Sequence, residues 1–202
     1  MDKTDFRKTL RHLYAATGAI AEVTVPKMQF VMVDGSGDPN TAAQYRTALE
    51  WLYSTGYALK FAAKALGRDY VVPPLEGLWW SKDPGDFTAR RKDEWHWTMM
   101  IMAPDFIPPA MFEAAVAKAG RKLGQPPQSL RLERYEEGRS LQLLHVGSYD
   151  DEAPVLARLH EVEMPARGLT FNGHHHEIYL SNPRRTAPAE LRTILRQPVR
   201  PV

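Results

Sequence analysis

One order of signals occurs twice in this chain, and it constrains the fold more than composition does. Residues 31–39 (VMVDGSGDP) and 144–154 (LHVGSYDDEAP) each run from an apolar stretch through a glycine turn to an acid and a proline, and a helical pattern follows both. Further on, LEGLW at 75–79 and HEIYL at 176–180 each set one glutamate inside an apolar strand. Two explanations stand open: a duplicated β-α-β-β unit, or chance likeness between short strands. The first requires two modules of the same build, with their sheets meeting across a pseudo-two-fold axis.

The remaining elements follow from periodicity and turn chemistry. Phe6, Leu10, Leu13 and Tyr14 recur at helical spacing, which predicts a short helical arm within residues 1–20. A strand over 28–33 leads to Asp38-Pro39 as the start of a long helix, with Tyr45, Leu49, Leu52, Leu59, Ala63 and Leu66 as its stripe. Strands at 71–80 and 95–102 form a hairpin across a charged loop containing Asp83-Pro84-Gly85. A helix over 110–123 stops at Gly124, and Gln125-Pro126-Pro127 separates a first module (21–124) from a second module with its tail (125–202). The second carries strands at 130–135 and 140–146, then a helix that buries Val155, Leu156, Leu159 and Val162. Strands at 169–171 and 175–180 close it.

Composition removes several classes. The 202 residues include no cysteine, so disulfide scaffolds, thiolate metal sites and cysteine nucleophiles are excluded. The 26 basic and 24 acidic side chains nearly balance, which leaves no whole-molecule charge for nucleic acid or anionic lipid. The first residues are charged and no window is long and apolar enough to span a bilayer, so a cytoplasmic protein with no membrane contact is expected. Gly35-Ser36-Gly37 fits neither a nucleophile elbow nor a P-loop. His174 and His176 would share a strand face, but their spacing supplies no third metal ligand, and no metal or other cofactor is expected.

The glutamates inside apolar strands are the most informative local conflict, because desolvating a carboxylate is costly unless a partner or a cavity receives it. Alternation sets Glu177 with Tyr179 and His175, and Glu76 with Leu78 and Trp80. If Trp80 pairs with Trp95, then Trp97 and Met99 join the Glu76 face; a slip of one residue reverses that assignment. Either both acids look into one concavity with the aromatic rings, suited to a flat organic ligand, or each meets a lysine or arginine at a sheet edge. Arg184, Arg185, Arg192, Arg196 and Arg200, near the C-terminal end, suit a solvated helix face or pairing with the acidic linker better than a phosphate site.

Three segments together carry a family likeness: residues 31–40 (VMVDGSGDPN), 74–80 (PLEGLWW) and 175–185 (HHEIYLSNPRR). With 95–105 (WHWTMMIMAPD), they resemble the GyrI-like small-molecule-binding proteins over nearly the whole chain. The resemblance implies an α+β fold of tandem SHS2-type modules around a central ligand cleft. Within the family the chain resembles stand-alone cyclopropanoid cyclopropyl hydrolases, which open the strained ring of DNA-alkylating compounds inside an aromatic cage. On that likeness Glu177 would activate water and Tyr179 would hydrogen-bond the developing charge. Glu76, Leu78, Trp80, Trp97 and Met99 would hold an aromatic ligand. A binder that sequesters amphipathic drugs and a gyrase-interacting module are the alternatives, and no direct nucleic-acid contact is expected.

Overall fold

The apolar runs at 28–33 and 97–103 lack the alternation of a half-exposed strand, and the fold explains why: helices cover one face of the sheet and the N-terminal arm covers part of the other. The computed structural model describes residues 3–83 and 91–202. Its helices and strands run α1 (Phe6–Thr9), α2 (Arg11–Tyr14), β1 (Ala21–Val25), β2 (Met28–Ser36), α3 (Ala43–Ala65), β3 (Leu75–Trp80) and β4 (His96–Ala103). Next come α4 (Pro109–Leu123), β5 (Arg131–Tyr135), β6 (Gly138–Val146) and α5 (Ala153–Ala157), which continues through a π-helical turn (Arg158–Glu163) into α6 (Met164–Ala166). The last strands are β7 (Leu169–Phe171), β8 (His175–Tyr179) and β9 (Arg192–Pro201).

The sheet order is β1-β6-β9-β8-β3-β4-β2-β5, with β7 added beside β9, and every pairing between these strands is antiparallel. Two β-α-β-β units are visible in it. One is β2-α3-β3-β4; the other is β6, the α5–α6 segment, β8 and β9. They join along β3 and β8, and each lends a preceding strand to the other: β1 pairs with β6, and β5 with β2. This is the pseudo-two-fold arrangement expected of a duplicated unit.

Helix α3 buries Leu52 and Leu59 against Val31, Val33 and Ile101, and each such side chain contributes roughly 1.5–3 kcal/mol. On the second module the helical segment packs Leu159 and Met164 over Leu141, Leu143, Leu169 and Val199. On the opposite face Leu13 and Tyr14 of the arm meet Phe30, Met32, Leu78, Met100, Ile178 and Ile194.

Several expectations shift. The arm is broken at Leu10 into two single turns, and Asp5 caps the first by accepting from Arg7 N–H. Asp38 caps a turn, accepting from Asn40 N–H at 2.9 Å, and α3 starts only at Ala43. Leu66 lies past the end of α3 and is exposed. β3 starts at Leu75, after the two prolines that cannot donate to a ladder. Val162 is exposed because the π turn rotates the helix and gives its inward position to Met164. The arginine-bearing C-terminal segment is not a helix: Arg184 and Arg185 lie exposed ahead of the interior strand β9, which carries Arg192, Arg196 and Arg200, and of the five Arg196 is the one that is buried. Pro198 stands where pairing passes from β8 to β7. Part of the Asp83-Pro84-Gly85 reversal lies outside the described residues.

Candidate functional site

β8 sets His175, Glu177 and Tyr179 on the helix-covered side of the sheet. Opposed residues in an antiparallel ladder share a face, so the pairing of Glu177 with Gly77, and of Gly77 with Met99, places Met99 there too. Trp79 opposes Trp97 and His175, which adds both indoles. Trp80 opposes His96, not Trp95, so the register differs by one residue from the one that would have joined Trp97 and Met99 to Glu76. Glu76, Leu78 and Trp80 therefore lie across the sheet from Glu177, Tyr179, Trp97 and Met99. The two acids do not share a concavity. A two-fold axis normal to a sheet preserves its faces, and the two glutamates stand an odd number of positions apart, so their sequence echo is not a structural equivalence.

Glycines make room for the rings on the Glu177 side. A Cβ on Gly35 would lie 2.1 Å from the Trp97 ring, and one on Gly77 would lie 2.8 Å from Trp79 Nε1. Across Gly77 the Trp79 indole reaches Tyr179 and donates to its Oη at 2.9 Å. Tyr45 of α3 stands edge-on over Trp97 at 5.2 Å, and Tyr149, ahead of α5, meets Tyr179 edge-on at 5.7 Å. Trp97 and Met99 are fully buried beneath this surface.

The acid-base character of the site centres on Glu177. Burial, then the Glu177 charge, pushes Tyr149 up to about 12 and holds the Tyr45 and Tyr179 phenols above their ordinary range. Tyr179 also hydrogen-bonds Glu177. Since its oxygen already accepts from Trp79, the phenol proton points to the carboxylate, and the tyrosine orients the acid. Glu152 joins them from the start of α5. It is 4% exposed, and burial together with the Glu177 and Asp150 carboxylates raises it to about 10, so it is a neutral acid at pH 7. Glu152 ends the run Asp150-Asp151-Glu152 at the cap position of α5, yet its side chain makes no capping hydrogen bond. Three acids where one cap suffices were the signal.

Across the sheet, Glu76 is enclosed by protein and lies beside a histidine. Its Oε1 accepts from Tyr14 Oη at 2.9 Å and its Oε2 lies 3.0 Å from His176 Nε2. The far side of His176 meets Glu137, which also binds Arg196 at 3.0 Å. Arg196 bonds Gln142 and the Leu13 carbonyl as well. Trp80 stacks on His174 at 4.2 Å. This is a closed internal network and leaves Glu76 no open side for a ligand. Two surface hollows, of about 280 Å³ beside the arm and about 540 Å³ beside α4, are lined by residues other than these.

Fold and site together define an α+β small-molecule-binding protein that brings Glu152 and Glu177 together at an aromatic surface. The model of the GyrI-like small molecule binding domain matches residues 19–200, and the chain belongs to that family. An uncharacterized conserved protein from Listeria innocua is 38% identical with a TM-score of 0.90, covering 98% of this chain and 100% of its own. A hydrolase from the same organism is 36% identical with a TM-score of 0.87 over the same shares. A search of curated proteins finds no match. Among the described residues no helix is long and apolar enough to cross a membrane.

Proposed function

We propose that this protein hydrolyses a flat, electrophilic small molecule of the strained cyclopropanoid kind, held over Glu177 on the helix-covered face. The observation that carries this reading is the pair of Glu152 and Glu177, brought to one aromatic surface from separate elements, with Glu152 holding its proton at neutral pH. The 36%-identical Listeria protein described as a hydrolase supports it. Glu177 takes a proton from water as the water oxygen bonds to a cyclopropane carbon. The ring carbon–carbon bond breaks, its electron pair moves to the conjugated carbonyl oxygen, and Glu152 protonates that oxygen. Tyr179 and Trp79 hold Glu177 in line. Ring strain lowers the barrier, so positioning and one proton transfer at each end suffice. The same reading places the protein in the cytoplasm, without direct nucleic-acid contact.

The test is incubation with a cyclopropanoid alkylator, following addition of one water by mass spectrometry. Glu177→Gln should lower turnover at least about a hundredfold while tryptophan quenching still reports binding. Saturable quenching by the wild-type protein with no consumption of ligand would instead establish a sequestering binder, and unchanged turnover in Glu177→Gln would remove the assigned base.

A further inference from the structure

Behind Glu177 the same row of β8 presents His175. Its Nε2 lies 3.6 Å from Glu177 Oε1, with the imidazole 10% and the carboxylate 15% exposed. Neither ring nitrogen of His175 has a hydrogen-bond partner, and the same holds for His160 Nε2 and Glu152 Oε1. His160 comes from the π turn; its ring meets His175 edge-on at 6.1 Å and Phe171 at 5.0 Å, and Phe171 is half exposed. Buried polar atoms in folded proteins are nearly all satisfied, so open nitrogens on two adjacent imidazoles call for a role. Burial and the neighbouring His175 lower His160 to about 4, which keeps it neutral and able to accept on one nitrogen while donating on the other. Gln197 hydrogen-bonds His160, and Glu152, Tyr149, Tyr45 and Tyr179 surround Glu177; none of these groups is cationic.

We propose that His175 is the proton partner of Glu177 and that His160 passes the proton on toward the surface at Phe171. After water attack Glu177 carries the extra proton. Its O–H bond breaks as the proton moves to His175 Nε2, and the hydrogen on Nδ1 leaves toward His160 through water between the rings. Nothing is oxidised or reduced: Glu177 returns as carboxylate, one proton reaches solvent, and Glu152, which gave its proton to the carbonyl oxygen, takes one back from solvent, so the cycle adds one water and no net proton. His175 acts through Glu177, as a positioning and relay residue. Only the kinetic arm of the test rests on the hydrolase reading.

In protein labelled with nitrogen-15 at histidine, Glu177→Gln should move the ring resonances of His175 and leave those of His176 in place; unmoved His175 resonances overturn the pairing. In the kinetic arm, His175→Ala should lower kcat by about a hundredfold with KM unchanged, with partial rescue by added imidazole. His175→Gln, which keeps the volume, should lose as much kcat while melting like the wild type. A rise in KM at constant kcat, or failure of imidazole to rescue, overturns the relay. If the wild-type protein opens no ring, the hydrolase reading falls and the resonance arm still decides the pair.

Discussion

Glu152 and Glu137 are both buried acids, and their neighbours send them in opposite directions. Burial raises both, but Glu137 touches His176 and Arg196 and ends at about 2, whereas Glu152 faces the carboxylates of Glu177 and Asp150 and ends at about 10. A carboxyl raised in the fold binds a proton that the unfolded chain has released, so Glu152 lowers stability progressively as pH climbs from about 4.5 to about 10. Glu152→Gln removes that dependence. The variant should therefore melt at or above the wild type, with a gap that widens from pH 5 to pH 9 in thermal melts, while losing ring-opening activity. Sequence alone does not separate the two acids, since each sits in a polar turn and only its spatial neighbours decide its charge.

At the scale of elements, the aromatic surface exists because two strands omit side chains. Gly35 on β2 lies opposite Trp97 on β4, and Gly77 on β3 lies beside Trp79. Gly35→Ala should cost about 1–3 kcal/mol in urea unfolding, because the buried indole has no slack to yield. Gly77→Ala should displace Trp79 from Tyr179 and weaken ligand quenching before it weakens the fold. The strands, the long helix and the Gly124 stop were legible, because periodicity and turn residues are local signals. The π turn was not, and Val162 looked buried on a regular helix. β9 was missed because its arginines suggested solvent, while Arg196 is paired inside the molecule.

At the scale of the whole molecule, the network of Tyr14, Glu76, His176, Glu137 and Arg196 fastens the N-terminal arm to strands from both modules. Arg196→Met removes the partner of a buried carboxylate and should cost about 3–5 kcal/mol. The pH dependence has two limbs. His176, raised to about 9, contributes stability that is full below its ordinary value of 6.5 and is lost as pH rises through 9. Glu137, lowered to about 2, contributes stability that is full above 4.5 and is lost as pH falls toward 2. Denaturant midpoints should therefore be highest for this network between about pH 4.5 and 6.5, and His176→Gln should flatten the alkaline limb.

By itself the sequence determined the family and the row formed by His175, Glu177 and Tyr179, because each depends on spacing within short stretches of chain, while the two β-α-β-β units stood open against chance likeness until strand pairing decided them. Only the tertiary structure decided that Glu76 faces away from Glu177, that Trp79 and not Trp80 reaches Tyr179, and that Glu152 enters the site. Pairing register carries no local signature: a slip of one residue sends every side chain of a strand to the other face, and the choice is made by the packing on both sides of the sheet.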